Sequence, residues 1–219
     1  MPDPIVPQPT AAQAAAQAAA PAAAQRIAEV ERKTAETSIR VRINLDGTGR
    51  YDVKTPLPFL SHMVEQLARH GGFDLEVEAT GDVHIDGHHT TEDLGIVIGK
   101  AVLQALGDKK GIQRYGSATL PMDEALVRVA LDLSGRPFFV WRLGLPKAKV
   151  GEFDCELCEV FFEAFARSGQ ANLHVHKLEG ENLHHLMEIT FKAFAKALRM
   201  ACTFDSRATG LPSTKGTLD

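Results

Sequence analysis

The chain repeats itself, and each copy carries the same five-residue pattern. Residues 41–50 read VRINLDGTGR and residues 127–136 read VRVALDLSGR. In both, apolar and polar residues alternate and then meet glycine, which predicts a strand entering a hairpin. Helix signals follow, PFLSHMVEQLARHG over 58–71 and FDCELCEVFFEAFARSG over 153–169, each closed by glycine. Short strands come next, FDLEVEA over 73–79 and ANLHVHKL over 171–178. Each copy then runs into a second helix, HHTTEDLGIVIGKAVLQAL over 88–106 and HHLMEITFKAFAKAL over 184–198. The order strand, strand, helix, strands, helix, met twice, restricts the fold to an α+β class. It predicts a tandem duplication of a small unit in which a sheet is covered by two helices on one face.

The expected divisions are an extension over 1–30, a first repeat over 31–121 and a second over 122–219. Residues 1–25 are nearly all Ala, Gln and Pro. Such a stretch buries too little apolar surface to offset its ordering entropy, so a disordered extension is expected, with Pro21 breaking any transient helix. Asp3 and an all-alanine apolar content do not suit a secretory signal, and Arg26 alone does not make a mitochondrial presequence. The segment from Phe204 to the end is polar, contains Gly and Pro, and reads as a tail or loop.

A net charge of −4 argues against a general nucleic-acid binder. No run of about 18 uncharged apolar residues exists, so no membrane span is expected. Three cysteines do not form a paired disulfide framework.

The nine histidines fall in two windows, 62–89 and 174–185. Both windows close on one pattern: His88-His89-Thr90-Thr91-Glu92 and His184-His185-Leu186-Met187-Glu188. On a helix, His and Glu three or four positions apart share a face, whereas adjacent histidines diverge by about 100°. Neighbouring histidines therefore point to two metals, with His88 and Glu92 on one, His89 on the other, and the second copy doing the same. Imidazole with carboxylate and no thiolate suits Mn, Fe, Ni or Zn, and departs from both Cys-type zinc sites and the HExxH pattern.

Other features read as structure. Cys155 and Cys158 are apolar fillers of a helix. Gly47-Thr48-Gly49 is a hairpin turn with no phosphate-loop signature. Phe161 with Phe165, and Ile189 with Phe194 and Leu198, are core stripes. His70 ends a helix, where a cation complements the dipole or faces substrate. His84, His174 and His176 read as surface residues on strands. Arg114, Arg136, Lys192 and the Ser213-Thr214-Lys215 stretch could hold an anion, Arg in bidentate fashion.

Taken together, PFLSHMVEQLARHG, TGDVHIDGHHTTEDLGIVIG, RYGSATLPMDEAL, LSGRPFFV, GENLHHLMEITFKAFAKAL and the closing PSTKGTL resemble the imidazoleglycerol-phosphate dehydratases of histidine biosynthesis. The resemblance spans about Arg32 to Leu218. It implies a cytoplasmic dimanganese hydro-lyase, two Mn2+ per active site. The reaction implied is conversion of D-erythro-imidazole-glycerol 3-phosphate to imidazole acetol phosphate and water. It also implies a homo-oligomeric shell of twenty-four subunits, with metal sites at subunit contacts and no nucleic-acid or membrane partner.

Carried over by position, one manganese falls to His62, His89, His184 and Glu188, and the other to His88, Glu92 and His185. Val160 stands where many members place a further histidine, so water, substrate or His174 is expected there. The phosphate contacts fall on Arg114, Arg136, Lys192, Ser213 and Lys215, with Thr214 in the same substrate-contacting tail. His70 matches the substrate-contacting helix. Glu36 matches an active-site carboxylate and is the expected acid/base, joined by Glu92 and Glu188 as catalytic carboxylates. An imidazole held by two cations loses its N–H readily, which lets the ring expel the neighbouring hydroxyl. Two other readings, a metal-storing scaffold and a dimetal phosphatase, differ in lacking ketone product or in liberating phosphate.

Overall fold

The computed structural model describes residues 26–208 and 210–218; the expected disorder of the extension concerns residues 1–25, outside the described residues. The first copy runs β1 (Ile27–Lys33), β2 (Thr37–Asn44), β3 (Tyr51–Lys54), α1 (Pro58–Gly71), β4 (Asp74–Gly81) and α2 (His88–Leu106). The second runs β5 (Tyr115–Met122), β6 (Ala125–Asp132), β7 (Phe138–Arg142), the short β8 (Lys149–Val150) and β9 (Phe153–Asp154), then α3 (Leu157–Ser168), β10 (Asn172–Glu179) and α4 (Leu183–Cys202).

The two four-stranded sheets share one topology, β1-β2-β4-β3 and β5-β6-β10-β7. In each, the edge strand β3 or β7 is parallel to β4 or β10, and the other pairings are antiparallel. The duplicated unit is thus real at the level of strand order.

Three boundaries differ from the sequence reading. The strand at 37–44 does not enter a hairpin at Gly47: β3 lies beyond β4 in the sheet, not beside β2. The Gly47–Gly49 loop instead wraps the Asp74 carboxylate, which accepts from the backbone N–H groups of Thr48 and Arg50. Those charge-assisted bonds outweigh a tight turn. Among the described residues the hairpins join β1 to β2, β5 to β6 and the short β8 to β9. Because β5 hydrogen-bonds β6 from Tyr115 onward, the second copy starts before residue 122. Similarly, β1 begins at Ile27, inside the stretch assigned to the extension, because Ile27 pairs with Asn44. His84 lies in a turn rather than on a strand.

Each helix pair covers one face of its own sheet. Across the copies, α2 packs on α3 and α1 on α4, so the layers run sheet, helices, helices, sheet. β2 alternates buried and half-buried residues along its length, with Ile39, Val41 and Ile43 inward. One continuous apolar core joins the copies. The expected stripes are in it: Phe161, Phe165, Ile189, Phe194 and Leu198 are all buried, as are Cys155 and Cys158.

Close approach of backbones sets the helix spacing. A Cβ on Gly95 of α2 would sit 2.5 Å from the Phe161 carbonyl oxygen, and one on Gly99 2.8 Å from that of Phe165. Only glycine lets α2 lie this near to α3. Pro58 opens α1 at its first turn, and Gly72, at φ 72°, closes it by donating to the Ala68 carbonyl. The glycine contacts fix α2, whose start carries the first histidine pair, against α3.

Candidate metal centre

One cluster draws on both copies. His62 on α1 and His184 on α4 aim Nε2 at the same oxygen of Glu188, at 3.4 and 3.0 Å. The three donor atoms lie within 4.8 Å of one another. The Glu188 side chain is 9% exposed, and its other oxygen accepts from Lys192 Nζ at 2.7 Å. Burial pushes the Glu188 carboxyl up, but the Lys192 ammonium and the two imidazoles outweigh it and hold the group below its usual range. Glu188 is therefore charged, with one oxygen balanced by a lysine and one presented to two imidazole nitrogens. Lys192 is thus tied to the histidine cluster through Glu188.

His89 is not in that triad; it stands with Glu36 and Asp82 in a second cluster. Its Nδ1 lies 3.0 Å from an Asp82 oxygen and 3.9 Å from Glu36 Oε2. The hydrogen bond that His89 donates to Asp82 raises the His89 pKa, aided by the Glu36 charge, and lowers that of Asp82 in return. Glu36 sits in the β1–β2 loop. The loop is fixed by Asp93 of α2, which pairs with Arg32 at 2.7 Å and accepts from the Thr37 hydroxyl, so both ends of the hairpin are tied to the helix that carries His89.

His88 and Glu92 face each other across 3.8 Å, both about half exposed. His185 points elsewhere: its Nδ1 is 2.8 Å from Glu124 Oε2, and its Nε2 is 3.7 Å from Asp123 Oδ2. The His185 hydrogen bond, together with the Asn182 N–H, pulls Glu124 down to about 2, and Glu124 in turn raises His185.

Of the anion candidates, Arg114 is not solvated surface. It grips Asp132 with Nε and Nη2, at 2.7 and 3.0 Å, and donates from Nη1 to the Pro212 carbonyl at 2.8 Å. That last bond brings Ser213, Thr214 and Lys215 beside Arg114, with two of its five N–H donors still available. Arg136 is exposed in the β6–β7 turn, where its carbonyl accepts from Asn172. His70 sits in the last turn of α1, where burial and the nearby Lys192 and Lys196 lower its pKa. His174 stacks between Phe138 and His176 on the second sheet.

The donor set fits a divalent metal. Imidazole nitrogens and carboxylate oxygens converge, and the cysteines are buried elsewhere with pKa values raised by desolvation, Cys202 to about 12. A buried Asp82 oxygen without a partner adds to the polar environment around His89. Among the described residues one chain gathers partial sets, His62–His184–Glu188, His88–Glu92, His89 and His185. Asp82, Asp123 and Glu124 were missed from sequence; the adjacent acids of a tight turn and the GDVHID stretch before the first histidine pair were the available signals.

The family profile described as imidazoleglycerol-phosphate dehydratase matches residues 55–198. The curated protein of that name from Trichlorobacter lovleyi is 55% identical over 194 residues, 89% of this chain and 100% of its own. The one from Cereibacter sphaeroides is 57% identical over 194 residues, 88% of this chain and 100% of its own. Among solved structures, the Staphylococcus aureus enzyme superposes with a TM-score of 0.74 at 40% identity, over 82% of this chain and 99% of that one. The Pyrococcus furiosus structure gives 0.74 at 35%, over 86% and 100%.

Proposed function

The chain belongs to the imidazoleglycerol-phosphate dehydratase family, hydro-lyases of histidine biosynthesis, and on that premise we propose that it dehydrates D-erythro-imidazole-glycerol 3-phosphate to imidazole acetol phosphate in a metal-dependent reaction. The observation that carries the reading is the convergence of two imidazoles from two helices on one oxygen of a buried, lysine-balanced carboxylate.

His62, His184 and Glu188, with His89, would hold one Mn2+, and His88, Glu92 and His185 the other. When bound, the pair would supply positive charge that stabilises a deprotonated imidazole ring. The protein's own groups do the rest. Arg114, Arg136, Ser213 and Lys215 would grip the phosphate, remote from the reacting carbons, and so orient the substrate. Thr214 and His70 would line the same volume, and Lys192 would keep Glu188 ionised.

Glu36, with a side chain 54% exposed and no hydrogen bond to its carboxylate among the described residues, is free to take the proton from carbon and return it. Asp123, 3.7 Å from His185 Nε2, is a second exposed carboxylate beside a proposed ligand.

The partial sets found in one chain support sites completed by another copy, in a homo-oligomer of the twenty-four-subunit kind that the family implies. A cytoplasmic location is part of the same proposal; among the described residues no helix is long and apolar enough to cross a membrane. The test is steady-state formation of the ketone by manganese-loaded protein. Ketone without free phosphate supports the dehydratase. Metal uptake with no turnover would leave the scaffold, and liberated phosphate the phosphatase.

A further inference from the structure

The two histidine pairs share a feature that their sequences do not announce. In each, the second histidine has Nδ1 against a carboxylate: His89 against Asp82 at 3.0 Å and His185 against Glu124 at 2.8 Å. An ionised carboxylate only accepts, so in neutral imidazole the Nδ1 must carry the hydrogen and Nε2 the lone pair. We propose that Asp82 and Glu124 are positioning residues that fix the tautomer and ring plane of His89 and His185, so that each offers Nε2 to a metal.

Glu124 is fixed by a further hydrogen bond, and Asp82 by burial. The other oxygen of Glu124 accepts from the Asn182 N–H at 3.0 Å. Asn182 caps α4 by accepting from the N–H groups of His184 and His185. Glu124, the helix cap and His185 thus form a closed circuit, and the imidazole cannot turn without breaking it. Asp82 has a side chain only 13% exposed, with one oxygen on His89 and the other buried.

The duplication explains why two different residues serve. Glu124 comes from the β5–β6 loop, and its counterpart loop in the first copy, β1–β2, carries Glu36. There Asp82 has taken the imidazole, and Glu36 is left at 3.9 Å, beyond hydrogen-bond reach. In the second copy the loop carboxylate orients a ligand; in the first it is released for chemistry. The divergence accounts for a Glu36 that is close to the centre and uncommitted.

The inference rests on the functional reading above, in which His89 and His185 bind metal. Its test is the manganese affinity of purified full-length protein without substrate, read by chelator competition, alongside the thermal melt of the metal-free form. Asp82→Ala and Glu124→Ala are each expected to weaken Mn2+ binding about 10–100-fold, the usual cost of losing such an outer partner. Asp82→Asn keeps a neutral acceptor for the Nδ1–H and is expected to recover most of that loss. Cobalt-loaded Ala variants should also show an altered visible band. If the wild type binds two metals and turns over while both Ala variants bind within twofold of it, this inference is overturned and the functional reading stands. If Asp82→Asn loses as much affinity as Asp82→Ala, in step with a lowered melt, the role is structural and the inference again falls. A wild type that binds no metal would refute the functional reading itself.

Discussion

Gly116 of β5 lies under α4, the helix that carries His184, His185, Glu188 and Lys192. A methyl group there would sit 1.9 Å from the Ala197 carbonyl oxygen and 2.9 Å from the Ala201 nitrogen. Ordinary contact begins near 3.4 Å, so Gly116→Ala must open a gap of about 1.5 Å between strand and helix. Both facing groups are backbone, and no side chain can swing away. The strain belongs at the upper end of overpacking, about 3 kcal/mol, offset by about 1 kcal/mol from the stiffer unfolded chain. The net of about 2 kcal/mol lowers the melting temperature by about 4–8 °C in a chain of this size. Because α4 is one 20-residue helix, the displacement is carried to its first turns. A misplacement of about 1 Å costs up to about 100-fold in turnover. The assay is a thermal melt paired with kcat on the same preparation. A variant that melts at or above the wild type with full turnover would refute the claim that this contact sets the helix and its ligands.

Glu188→Gln removes the anion shared by His62, His184 and Lys192. Metal content by elemental analysis and ketone formation are expected to fall together; unchanged metal content would show that Glu188 is no ligand. Asp74 accepts from two backbone N–H groups and the Arg50 guanidinium, chiefly the last, which hold its pKa well below the usual value. A depressed carboxylate contributes stability that is present above its unfolded pKa and lost as pH falls through the folded value. Asp74→Asn should therefore destabilise by about 2 kcal/mol at pH 7, with the gap to wild type narrowing below about pH 4 in denaturant titrations. A gap that stays constant into acid would contradict this sign. Deleting residues 1–25 should leave kcat and KM near wild type, because the first described strand starts at Ile27; a large loss would give the extension a role.

The duplicated fold was legible because its signals are local. Periodicity, Pro58 and closing glycines mark α1, and the histidine pair marks the start of α2, so both helices run over the expected residues. Sheet order was not legible, since β3 pairs with β4 instead of turning back on β2, and the Asp74 contacts that hold the connecting loop come from a residue more than twenty positions away. The histidines and Glu188 were legible from a pattern repeated at equivalent points of two copies. Asp82, Asp123 and Glu124 carry no such periodicity; they become part of the centre through loop geometry and through the Asn182 cap. Arg114 was legible as an anion candidate, but its pairing with Asp132 was not, because that carboxylate lies on the neighbouring strand.

The most direct test of the account is a metal titration of stripped protein. Full-length chain is cleared of metal by chelation, shown to be folded, and assayed for ketone formation as Mn2+ is returned. The account predicts negligible turnover in the stripped state and a rise that levels off near two ions per active site. Full-speed turnover by the stripped protein would contradict it.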